Sequence, residues 1–144
     1  MRTDVPYNLG ELYPNAHSFE GYIYKVVSYH RNGTVAKSQW SISTREEVDL
    51  FAEAIRTNAI AVKDGWMIYF VNNQRKIVGK TIHNEESFIG RFRRTTDMEW
   101  HGYPGDYMRA RSDIPPTSIL QMWVGKYITK SQMAHIQRQQ PCNL

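Results

Sequence analysis

The run Arg91-Phe92-Arg93-Arg94 is followed closely by Trp100-His101-Gly102-Tyr103-Pro104-Gly105-Asp106-Tyr107-Met108-Arg109-Ala110-Arg111. Arginine carries a planar fork that grips a phosphate through two parallel hydrogen bonds and stacks on flat rings. Aromatic faces take nucleobases, at ~1–3 kcal/mol per stacked base. The two segments therefore hold both elements of a phosphate-and-ring site. Arg91, Arg93, Arg94, Arg109 and Arg111 are the candidate phosphate contacts, and Trp100, Tyr103 and Tyr107 stack on or shape the ligand. Lys76 and Lys80 stand just upstream. The expectation is non-enzymatic binding of an anionic, phosphate-bearing ligand, either a nucleic acid or a small nucleotide. A polymeric ligand would make affinity fall steeply with salt.

Two other functions draw on overlapping residues. A small metal-independent ribonuclease needs a base, an acid and cations for its transition state. His83 and His101 could be acid and base, with Lys80 and Arg93 as the stabilising cations. A protein partner, as for an inhibitor, an adaptor or a homo-oligomer, would also use Tyr, Trp, Met and Arg. Tyr22, Tyr24, Tyr29 and Trp40 would then be an association edge.

Other chemistries find little support. His17, His30, His83, His101 and His135 are scattered, with no pair at helical i, i+4 spacing, and Cys142 is the single cysteine. No metal site and no cofactor is expected. Gly79-Lys80-Thr81 ends like a P-loop, but Gln74 stands where the upstream glycine belongs. Glu46-Glu47 and Glu85-Glu86 fit helix N-termini better than paired catalytic acids. Gly21-Tyr22-Ile23-Tyr24-Lys25 resembles the first strand of GIY-YIG nucleases, but the second tripeptide is missing, because the chain there reads Val35-Ala36-Lys37-Ser38.

The chain has 144 residues, of which 41% are hydrophobic and 22% charged, as in one globular domain. A single cysteine excludes an internal disulfide. No signal segment opens the chain and no apolar run reaches membrane-span length, so a cytoplasmic protein without a membrane partner is expected. Net charge is +4, concentrated in the second half. Residues 1–74 hold seven Lys/Arg against eight Asp/Glu, and residues 75–111 hold eight against five. The basic balance around the arginine-aromatic cluster favours an anionic partner there.

The elements must hold these residues in place. Residues 1–18, with Pro6 and Pro14, read as an irregular arm before a single domain over 19–144. Aromatic and β-branched residues on both sides of Asn32-Gly33 predict a β-hairpin over about 21–42. Ser43/Glu46 or Thr44/Glu47 could form a capping box. Val48, Phe51, Ala52 and Ile55 then make one apolar stripe, predicting a crossover helix over 44–57. Trp66–Val71, Asn72-Asn73 and Arg75–Ile82 predict a second hairpin over about 66–82. Asn84-Glu85-Glu86 predicts another helix, with Phe88, Ile89 and Phe92 inward and Arg91 and Arg94 outward. Residues 95–116 read as a long connection. Helical sequence over about 117–140 closes the chain, either as two helices, the second started by Thr129/Gln132, or as one helix kinked near Gly125. This is an α+β domain, a mainly antiparallel sheet with helices on one face.

Overall fold

The computed structural model describes residues 1–95 and 97–142. In chain order its strands are β1 (Pro6–Asn8), β2 (Ile23–Lys25), β3 (Gln39–Trp40), β4 (Ile60–Ala61), β5 (Asp64–Ile68), β6 (Phe70–Val71), β7 (Gln74–Arg75), β8 (Gly79–Lys80), β9 (Glu86–Ser87), β10 (Ile89–Arg94) and β11 (Glu99–Pro104). The helices are α1 (Leu9–Leu12), α2 (Thr44–Arg56), α3 (Thr117–Trp123) and α4 (Lys130–Gln137). The fold is α+β. A six-stranded sheet has the order β1-β2-β11-β10-β5-β4, beside a small β3-β8-β9 sheet and a β6-β7 ribbon. The pairings of the named strands are antiparallel except β11 with β2.

Helix α2 begins where its sequence dictates. Ser43 accepts from the Glu46 amide, and Glu46 reaches back to the Ser43 amide, which satisfies two orphan donors. The helix covers one face of the large sheet. Phe51 meets the rings of Tyr24, Phe92 and Trp100 at centroid distances of 4.9, 5.2 and 5.2 Å. Each such aromatic, fully removed from water, contributes ~1.5–3 kcal/mol. Close approach needs glycine at Gly102, where a Cβ would lie 2.5 Å from the Phe92 ring and 2.7 Å from the Tyr24 hydroxyl.

Several expectations are corrected by the strand pairing. No hairpin forms over 21–42. The Asn32-Gly33 turn exists, with Gly33 at φ +75° and Asn32 Oδ1 accepting from the Thr34 amide. It turns a loop and not a strand pair, because Arg31 is tied down first. Arg31 donates through Nε and Nη2 to Glu47 on α2 and through Nη1 to the Ile42 carbonyl. The chain from Arg31 is anchored on α2, and β2 pairs with β1 and β11 instead. The N-terminal residues, expected to be an irregular arm, supply an edge strand of the large sheet and α1, and Leu9 and Phe19 are buried in the core. Of the hairpin expected over 66–82, only the tip forms, as the β6-β7 ribbon closed by Asn72 and Asn73 at φ 53° and 61°. β5 pairs with β10 and β4, and β8 pairs with β3 and β9.

The helix expected after Asn84 is instead a strand, β10, at the centre of the sheet. The expected connection after residue 95 holds its partner, β11. At the C-terminus the two-helix reading stands. Gly125 at φ +84° breaks the chain, and Thr129 and Gln132 form the second capping box. No helix among the described residues is long and apolar enough to cross a membrane.

Candidate functional site

Strand geometry sorts the arginine-aromatic cluster. Successive strand residues face opposite sides, and directly paired residues of neighbouring strands face the same side. Arg93 is paired with His101 on one side and Asp64 on the other, and Arg91 lies between Tyr103 and Trp66. These two cross-strand rows occupy the face turned away from α2. Phe92, Gly102 and Trp100 belong to the α2 face, and so does Arg94, opposite Trp100. Arg93 and Arg94 therefore point away from each other.

Arg91 is the most buried of the arginines, with a side chain 2% exposed. Its guanidinium donates to the carbonyls of Ser112 (3.0 Å) and Phe92 (2.6 Å) and to Asp64 (2.8 Å). It also lies 3.6 Å from Asp113 and 4.5 Å from the centre of the Trp66 ring. Every edge of the fork is used internally, so Arg91 is a strut that holds the 105–113 loop onto the sheet. Trp100 is equally inward, 3% exposed and packed against Phe51 and Tyr22. A buried Trp100 has no free face for a ligand ring.

The loop is organised by a carboxylate whose sequence context gives it no prominence. Asp113, buried, accepts from the Tyr103 hydroxyl at 2.6 Å and from the Asp106 amide at 2.8 Å. Burial, followed by this bond, raises the Tyr103 hydroxyl well above the ordinary phenol value. The other face of Tyr103 stacks on His30, with centroids 5.7 Å apart and planes at 26°. His30 is itself placed by Nδ1 donating to the Ser38 carbonyl at 2.8 Å, which leaves Nε2 without the proton. Burial lowers the pKa of both His30 and His101, and the charge of His30 and then that of Arg93 depress His101 further. Both shifts favour the neutral imidazole.

Tyr103 also forms a wall of a cleft of about 430 Å³ between the loop and the Thr81–His83 turn. The cleft brings together Tyr103 and Arg109 from the candidate binding set and His83 from the ribonuclease set. Ser38, Thr81 and Asp106 join them. Arg109 holds Glu85 through both nitrogens, at 2.6 and 2.7 Å, and lies 3.7 Å from Asp106. Unlike Arg91 it stays accessible, its side chain 41% exposed and that of Glu85 40%. An ion pair this exposed is worth ~0–1 kcal/mol, so Arg109 can be released at little cost.

The remaining candidates lie apart from this arrangement. Tyr107 donates to the Gln140 carbonyl at 2.9 Å and ties the loop to the C-terminal segment. Arg111 is exposed at the start of the 3-10 turn Arg111–Asp113, and Lys80 is exposed on β8. His101 opens onto another cleft of about 250 Å³, beside Lys25 and Glu99, which pair at 3.1 Å. No group of three or more His, Cys, Asp or Glu among the described residues is placed to hold a metal ion. Comparison of the chain with models of protein families, with curated proteins and with solved structures gives no match.

Proposed function

We propose that the cleft beside Tyr103 binds a small phosphate-bearing ligand of the nucleotide class, with Arg109 as the phosphate contact and His83 beside it. One observation carries this reading: Arg109 lines the cleft, and its two-nitrogen fork is held only by the half-exposed carboxylate of Glu85. Glu85 occupies the fork as a ligand phosphate would. The volume falls within the ~300–1,000 Å³ of small-molecule sites. A nucleic-acid track is less well supported, because Arg93 and Arg94 face opposite sides and Arg91 is spent internally.

Arg109→Ala combined with His83→Ala should leave the melting temperature close to wild type. By isothermal titration, ADP affinity should fall by about tenfold or more, equivalent to ~1.4 kcal/mol per tenfold step. Unchanged ADP affinity in that variant would sink the assignment. A steep salt dependence with a short oligoribonucleotide, exceeding that with ADP, would move the ligand from nucleotide to polymer.

A second reading, a metal-independent ribonuclease, is favoured by one separate fact. His101 sits directly across the strand pair from Arg93, with His30 within electrostatic reach. A neutral imidazole beside a cation suits a base acting on a phosphodiester. The four residues expected to share this role divide: His101 and Arg93 are on the sheet face, and His83 and Lys80 are on the β8 side. RNA cleavage in the presence of a chelator, abolished by His101→Ala, is the expected result. Absence of cleavage by the wild type would eliminate this reading.

A further inference from the structure

We propose that a second cleft, between the β6-β7 ribbon and the turn joining α3 to α4, binds a mononucleotide, with its phosphate between Arg75 and Lys126 and its base against Phe70. This site shares no lining residue with the Arg109 cleft and does not rest on that reading.

The cleft has a volume of about 570 Å³. Its charged lining residues are Arg75 and Lys126, with no carboxylate among them. This contrasts with the 91–111 segment, where Arg91 and Arg109 are matched by Asp64, Asp113, Glu85 and Asp106. Cations without an acidic partner among the described residues, set in a concave site, concentrate anions. Arg75 is also positioned in advance. Its Nη1 donates to the Tyr127 carbonyl at 3.0 Å and to Gln132 Oε1 at 2.8 Å, which fixes the plane of the fork. A guanidinium held this way loses little conformational freedom on binding. Lys126 is exposed and lies 5.1 Å from the centre of the Tyr127 ring, so its ammonium stands over the floor of the cleft.

That floor is aromatic. Phe70 meets Tyr127 edge-on at 5.2 Å, and Phe70 is only half-buried, leaving ring surface for a base. Asn73 and Gln74, both exposed, bring amides to the rim, the groups that pair with nucleobase edges. Gly125 at φ +84° has open space where a side chain would be, so main chain borders the cleft there. Cation pair, ring and amides together match a nucleoside phosphate better than a bare anion.

The test is a two-dimensional amide NMR titration of the full chain with ADP, inorganic phosphate and adenosine, run in parallel. ADP should shift the Asn73, Gly125 and Lys126 amides at lower concentration than phosphate or adenosine does. Lys126→Glu and, separately, Asn73→Asp should each weaken that binding by about tenfold or more. Both positions are exposed, and aspartate tolerates the left-handed backbone of Asn73, so both variants should fold. Arg109→Ala should leave these shifts in place, which separates failure of this site from failure of the Arg109 cleft. The proposal is overturned if millimolar ADP leaves these amides unmoved, or if both variants bind as wild type does. Phosphate binding as tightly as ADP would overturn the base contact.

Discussion

Arg91→Ala should lower the unfolding free energy by ~3–5 kcal/mol, measured by chemical denaturation. The loss comes less from the ion pair than from what remains behind. Asp113 is 4% exposed, and without Arg91 it is a buried carboxylate supported only by the Tyr103 hydroxyl and the Asp106 amide. The Ser112 and Phe92 carbonyls lose the Arg91 donor at the same time. Arg91→Lys should recover only part of the loss, because one ammonium cannot reach two carbonyls and Asp64 in the fork's geometry. A stable Arg91→Ala protein with abolished ADP binding would reverse the assignment and make Arg91 a ligand contact.

Glu47→Ala should produce an effect of similar size, ~3 kcal/mol, by leaving the Arg31 charge and the Tyr24 hydroxyl without their buried acceptor. Glu47 is fully buried, accepts from the Tyr24 hydroxyl and binds Arg31 at 2.8 Å. Burial pushes its carboxyl from the ordinary 4.5 up to about 7, against the pull of Tyr24 and Arg31. The folded chain therefore holds this proton more tightly than the unfolded chain. The resulting stability is complete below about pH 4.5 and is lost as pH rises to about 7. His30 and His101 act in the opposite sense. Their pKa values lie below the ordinary 6.5, so their contribution is full above that value and fades as pH falls. Comparison of wild type with Glu47→Gln at each pH isolates the carboxyl. The stability of wild type relative to Glu47→Gln should decline steadily from about pH 5 to about pH 7. A difference independent of pH would mean that Glu47 is ionised throughout this range.

The features legible in the sequence were local. Ser43/Glu46 and Thr129/Gln132 needed only neighbours three residues away, and both capping boxes formed. Asn32-Gly33 and Asn72-Asn73 did turn the chain, but only the second closed a strand pair. Whether a turn joins two paired strands depends on distant partners such as Arg31 with Glu47, and a one-dimensional pattern does not carry these. The largest departure was one of period. A helix starting at Asn84 placed Arg91 and Arg94 together on the outside. The strand that actually forms puts them on opposite faces and buries Arg91 beneath the loop.

A signal for the missed partner strand was present. Glu99 to Pro104 alternates half-buried and buried residue by residue, and Trp100, Gly102 and Pro104 are the inward set. The glycine and the proline disguised that alternation as a loop, although Gly102 is required there by the Phe92 ring. The sequence reading named Arg109 and Tyr103 for ligand binding and His83 for the ribonuclease alternative, and these three line one cleft. It did not distinguish Arg109 from Arg91, since two arginines of equal chemistry differ here only in burial. Nor did it point to Asp113, whose importance lies in three contacts made at long range.

The most direct test of the Arg109 cleft is to purify wild type and the Arg109→Ala/His83→Ala variant side by side. The measurement is the ratio of nucleobase to protein ultraviolet absorbance before and after a high-salt wash, with mass spectrometry of the wash. A nucleotide carried by the wild type, released by salt and loaded at a clearly lower ratio in the variant, is the expected result. Two clean spectra, or equal loading of both proteins, would contradict the assignment of the phosphate to Arg109.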